Sequence, residues 1–155
     1  MAKKYKFKLA GLLKLREFAE EKAKIELGRV NYKIQEVDEA IEAHRKDIVT
    51  AYESQEEILK NPTDGRFLQF YPRYFQAKEV AIKDLEKKKL ALQKEAEARM
   101  QDLLKARAEM KIMEKLKEKD FTEWKKERNK EMDAAIEENT QLWLANIGAG
   151  AVDEN

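Results

Sequence analysis

Residues Ala23, Leu27, Val30, Ile34, Val37, Ile41, His44, Ile48, Ala51, Gln55 and Ile58 follow one another in an unbroken alternation of four and three steps. A helix carrying such a stripe presents it to a partner and winds left-handed around it, so the spacing predicts a coiled-coil helix. His44 and Gln55 are the two larger polar members of the stripe. Upstream, Leu12, Leu15 and Ala19 reach Ala23 by steps of three, four and four. The additional four-step reads as a stutter, which locally unwinds a supercoil. Helix 1 is expected from about Leu9 to about Leu59.

The pattern stops at Asn61-Pro62-Thr63-Asp64-Gly65. Proline lacks the N–H that a helix interior needs, and Asp-Gly favours a tight turn. A turn is expected over about 60–71, ending in the aromatic cluster Phe67, Phe70, Tyr71, Tyr74 and Phe75. Pro72 falls where a first helical turn tolerates proline, and so opens helix 2.

Helix 2, expected over about 72–147, carries a looser seam of Phe75, Ile82, Leu85, Leu92, Ala96, Leu103, Ala106, Met110 and Met113. Lys78, Lys89 and Arg99 share that seam, where long stems pack while their charged heads reach water. Beyond Met113 the register is irregular, and Gly148-Ala149-Gly150 opens a short tail, 148–155, expected to be disordered. One break between two long helices predicts a single all-α domain, 1–155: an antiparallel coiled-coil hairpin. Helix 2 then outruns helix 1 by roughly five turns, at 3.6 residues per turn.

Composition agrees with a rod. Charged residues make up 41% of the 155 and hydrophobic ones 43%, a balance suited to a shape that buries only a narrow seam. The net charge of +1 gives no electrostatic reason to expect nucleic acid. The runs Lys87-Lys88-Lys89 and Lys115-Leu116-Lys117-Glu118-Lys119 are diluted by Glu86, Glu114 and Glu118, and read as solvated helix faces. No apolar run is long enough to span a bilayer, so no stable membrane insertion is expected. The basic Met1–Lys8 stretch lacks the apolar segment of a signal peptide, which makes the cytoplasm the default address.

The inventory for catalysis is thin. The chain has one histidine and no cysteine, which excludes Cys-His nucleophiles and the usual zinc sets. No glycine-rich loop precedes Lys-Ser or Lys-Thr, so there is no P-loop cradle. Carboxylates such as Glu17, Glu21 and Glu26 stand beside Lys and Arg at helical spacing, as on a solvated face. His44 lies on the seam itself and reads as a tolerated polar interruption. No enzymatic activity, metal or cofactor is expected.

Partner binding has better support. With Ala23 at a d position, Phe18, Ile25 and Tyr32 share an f position that points away from the coiled-coil partner. They are scatter, or a line from which the stutter turns Phe18 inward, or a docking stripe. The aromatic turn is a second candidate surface, part of which caps the closed end. The third is the C-terminal overhang, where Trp124, Met132, Ile136, Leu142 and Trp143 have no intramolecular helix to cover them fully.

Two stretches carry a family resemblance. Phe7-Lys8-Leu9, Leu12-Leu13 and Leu15-Arg16-Glu17 resemble the opening of the flagellar export protein family FliJ. The segment Met113-Glu114-Lys115-Leu116-Lys117-Glu118-Lys119, followed by Trp124, Glu127-Arg128 and Glu131, resembles that family's C-terminal signature. Asp133-Ala134 stands where the family commonly has Asp-Glu. The resemblance covers nearly the whole chain and implies a coiled-coil hairpin similar in shape to the central stalk of rotary ATPases. It further implies a cytoplasmic protein, peripherally associated with the inner membrane at the flagellar base. Its implied partners are the hexameric export ATPase, the cytoplasmic domain of the export gate's membrane protein, and export chaperones. By the same resemblance Leu9, Leu12, Leu13, Arg16, Leu116, Phe121, Trp124 and Arg128 face the ATPase. Ile48, Tyr52, Tyr74 and Ala81 face the gate, with Lys78 where an apolar residue is usual. A stalk protein of a virulence-type injectisome and a coiled-coil scaffold unrelated to any ATPase are the alternatives.

Overall fold

The computed structural model describes residues 3–60 and 65–152. Two α-helices account for most of them: α1, Ala10–Lys60, and α2, Phe70–Val152, with a short 3₁₀ segment at Gly65–Gln69. The chain is all-helical, and α1 and α2 pack against each other as the arms of a helical hairpin. The Asn61–Asp64 part of the expected break lies outside the described residues. Helix α2 opens at Phe70, so Pro72 sits in its first turn, where no backbone N–H is owed to the helix.

Packing divides the chain into two compact units: Phe18–Arg107, and Met1–Glu17 together with Ala108–Asn155. In the first unit the ion pairs fix the direction of the arms. Glu20 meets Arg107, Glu26 meets Arg99, Asp38 meets Lys89, and Asp47 meets Lys78, so one helix climbs in number as the other falls. The arms are antiparallel there. Its apolar centre is Val37, Ile41 and Leu92, with Ile34, Ile82 and Leu85 packed against them. Burying an aliphatic side chain of this size stabilises the fold by about 1.5–3 kcal/mol.

Every residue of the α1 stripe from Ala23 to Ile58 is buried or half-buried. The stutter is not present. Leu12, Leu15 and Ala19 are exposed, and the stripe instead continues upstream through Glu20, Arg16 and Leu13 in the same three-and-four alternation. Leu13 is buried, and the two charged members are neutralised from α2: Arg16 by Glu109 at 2.8 Å and Glu20 by Arg107 at 3.1 Å. The polar residues kept the true register hidden behind a more apolar but solvent-facing line.

The seam cations of α2 behave similarly. Their stems pack, but the heads of Lys78, Lys89 and Arg99 reach carboxylates on α1 at 2.7, 2.7 and 3.2 Å. The tail expectation also changes, because α2 continues through Gly148 and Gly150 to Val152. Glycine weakens a helix by about 1 kcal/mol relative to alanine, yet it keeps the N–H that proline lacks. Residues 153–155 of that tail lie outside the described residues.

Candidate functional site

Two groups of side chains stand apart from the seam, one in each unit. In the unit joining Met1–Glu17 with Ala108–Asn155, the residues before α1 run along α2. The turn into α1 is closed by the Ala10 N–H donating to the Phe7 carbonyl at 3.2 Å. Ahead of it, the Tyr5 hydroxyl donates to Asp120 Oδ2 at 2.9 Å. The Tyr5 ring lies edge-on to Phe121, 5.0 Å between centroids, and 5.5 Å from Trp124. Phe121 and Trp124 stack on each other at 5.9 Å, and the Arg128 guanidinium lies 5.4 Å from the Trp124 ring centre. Partial removal from water and the Asp120 carboxylate both push the Tyr5 phenol above its ordinary pKa.

A shallow hollow beside this cluster is lined by Lys3, Trp124, Glu127, Arg128, Glu131 and Met132. Beyond Trp124 every α2 side chain from Lys125 to Gly150 is exposed, including Met132, Ile136, Leu142, Trp143, Leu144 and Ile147. The structure therefore brings Phe121, Trp124 and Arg128 together around a residue that sequence patterning left out. Tyr5 precedes the first helix, so no periodicity marks it. Leu9, Leu12 and Leu116 are exposed in the same unit, whereas Leu13 is buried and Arg16 is committed to Glu109.

In the Phe18–Arg107 unit, an aromatic chain links the end of α1 to the start of α2. Tyr52 stacks on Phe75 at 4.3 Å with only 20° between the rings. Phe75 continues to Tyr71 and Tyr74, and Phe70 touches both of these tyrosines. Tyr71 is buried, while Phe67 and Phe70 are exposed, so the cluster caps the packing with one ring and shows others to solvent. Ile48 and Ala81 are half-buried.

Lys78 ties this region together. Its Nζ donates to Asp47 Oδ2 at 2.7 Å, lies 3.2 Å from His44 Nδ1, and stands 5.4 Å from the Tyr74 ring centre. The hydrogen bond between Lys78 and Asp47 holds the Asp47 carboxyl below its usual range and the Lys78 ammonium above its own. An ammonium donor requires the His44 Nδ1 to carry a lone pair, so the seam histidine acts as an acceptor here.

Among the described residues no group of His, Cys, Asp or Glu is arranged to hold a metal ion. No described helix is long and apolar enough to cross a membrane. What the two groups offer is surface: clustered aromatics, a cation over an indole, and apolar side chains on a helix without cover. Such features suit protein recognition, where Trp, Tyr and Arg carry most of the binding energy. Neither a curated protein nor a solved structure matches the chain. The family described as Flagellar FliJ protein does match, over residues 5–142, which takes in the cluster of Tyr5, Phe121, Trp124 and Arg128 and the aromatic group around Tyr52 and Phe75, and the chain belongs to that flagellar export family.

Proposed function

We propose that this chain is a non-catalytic coupling stalk of the flagellar type III export apparatus. The unit built from Tyr5, Phe121, Trp124 and Arg128 engages the ring of the export ATPase and promotes its assembly. The aromatic group around Tyr52, Tyr74 and Ala81 contacts the cytoplasmic domain of the export gate. The protein works in the cytoplasm at the flagellar base, and export chaperones share it as a partner. Family membership supports the apparatus. The single observation that carries the ATPase contact is the helix past Trp124, whose exposed Met132, Ile136, Leu142 and Trp143 a self-sufficient hairpin has no use for.

The test is ATP hydrolysis by the purified export ATPase with and without this protein. Stimulation is expected, and it should fall several-fold with Trp124→Ala or Arg128→Ala while Tyr74→Ala leaves it unchanged. Absence of both stimulation and a complex would sink the assignment. A pure scaffold would stimulate nothing and lose nothing on either substitution.

A further inference from the structure

Phe18, Ile25 and Tyr32 are 64, 49 and 63% exposed, although the neighbouring Leu27 and Val30 are buried. A seven-residue step returns a helix to nearly the same face, and Ile25 lies about half a turn round from Leu27. The three side chains therefore form a line on the side of α1 turned away from α2. With the stutter absent, nothing rotates Phe18 inward.

Two successive hollows occupy the spaces along this line. One is lined by Phe18, Glu21, Lys22, Ile25, Glu26 and Arg29, and the next by Ile25, Gly28, Arg29, Tyr32, Lys33 and Glu36. Glu21 lies on the edge opposite Lys22 and Arg29. Gly28 is a mid-helix glycine that no packing inside the chain explains, since a Cβ there would meet nothing within 4 Å. A glycine at such a position costs helix stability and leaves the backbone bare for a close approach from outside.

One edge of the line is basic. Lys22, Arg29 and Lys33 lie on the same side of it, and among the described residues none has an ion-pair partner. Glu26 on that edge is already held by Arg99 at 3.2 Å, which leaves Glu36 as the one uncommitted carboxylate there. An antiparallel second copy would set this basic edge against itself. A helix with carboxylates along one flank would not meet that repulsion.

We propose that Phe18, Ile25 and Tyr32, with the bare backbone at Gly28, receive an amphipathic helix of another protein whose apolar stripe is flanked on one edge by carboxylates. Knobs of the incoming helix fill the two hollows, and its acidic edge meets Lys22, Arg29 and Lys33. This surface is separate from the two groups read above as ATPase and gate contacts.

The test uses the full chain and two labelled helical peptides with the same leucine stripe, one edged with glutamate and one with lysine. The glutamate-edged peptide should bind, more weakly as salt rises, and the lysine-edged one should bind about tenfold less well. Ile25→Asp should weaken the glutamate-edged peptide about tenfold. Gly28→Leu should do the same while leaving helicity intact, because leucine is the better helix former. Equal binding of both peptides, indifference to the two substitutions, or no binding at all overturns the proposal. So does a dimer in sedimentation equilibrium that Ile25→Asp dissolves, which would make a second copy the occupant.

Discussion

The Tyr5 hydroxyl and the Asp120 carboxylate meet at 2.9 Å although 115 residues separate them, and this contact lays the segment before α1 against Trp124. The ring and the hydroxyl do different work. Tyr5→Ala removes the cover, so the Trp124 emission should shift toward that of the exposed Trp143; a Trp143→Phe background isolates the signal. Tyr5→Phe keeps the cover and should leave the emission nearly unchanged. A shift of equal size in both variants would show that the hydrogen bond, and not the ring, seats the segment.

The same pair makes a prediction about titration. Tyr5 is raised by partial removal from water and by Asp120, so its neutral form is favoured in the folded state. A raised group contributes stability that is complete below its unfolded pKa of 10.0 and is lost as pH climbs through the folded value. Ultraviolet titration of tyrosinate should therefore find one tyrosine ionising later than a free phenol. Asp120→Ala should bring it back toward the ordinary value.

Core burial decides the next case. Leu92 is buried against Val37 and Ile41, whereas Leu90, two residues away, is 57% exposed. Leu92→Ala should cost about 2–5 kcal/mol, the usual range for truncating a buried leucine. Leu90→Ala should stay within about 0.5 kcal/mol of the parent. Urea unfolding followed by helical circular dichroism measures both, and equal costs would mean that the register of α2 is wrong.

Which parts of this fold could be read from the chain follows from what marks a position. The α1 stripe from Ala23 to Ile58 is legible because its members are almost all apolar and evenly spaced. Arg16 and Glu20 are seam residues as much as Leu27 is, but their partners Glu109 and Arg107 lie far along the chain. Local composition therefore favoured the exposed Leu12 and Leu15. Trp124 and Arg128 were visible as residue types, and Tyr5 was not, because a segment outside any helix has no period to follow. Lys78 stood out in sequence only as a polar residue on the seam. The structure supplies the reason it is tolerated there: Asp47, His44 and the Tyr74 ring all surround its ammonium.

That arrangement makes stability depend on pH at both ends of the scale. Asp47 is lowered, chiefly by the Lys78 hydrogen bond, so its contribution is present above its ordinary value of 3.8 and lost as pH falls through the folded one. Lys78 is raised, chiefly by Asp47, so its contribution is complete below 10.5 and fades as pH rises through the folded value. The urea midpoint should fall on acidification below the ordinary carboxylate range and again in strong alkali. Lys78→Met should remove this pair's share of both slopes and fill the same seam position with an apolar stem. If the midpoint of Lys78→Met followed pH as steeply as the parent's, the dependence would lie in other groups.

The register through Arg16 can be tested by its partner. Arg16 and Glu109 are each roughly two-fifths exposed and meet at 2.8 Å, so solvent screens them. A double-mutant cycle with Arg16→Ala and Glu109→Ala should give a coupling of about 0.2–1 kcal/mol that shrinks in high salt. Exchanging the charges, Arg16→Glu with Glu109→Arg, should restore most of what either reversal alone removes. The stuttered register would place Leu12 and Leu15 on the seam instead of Arg16. In that arrangement Leu15→Ala would cost several kcal/mol, as for a buried leucine, and the Arg16–Glu109 cycle would read zero. The present packing expects the reverse: a measurable coupling, and a Leu15→Ala change within about 0.5 kcal/mol.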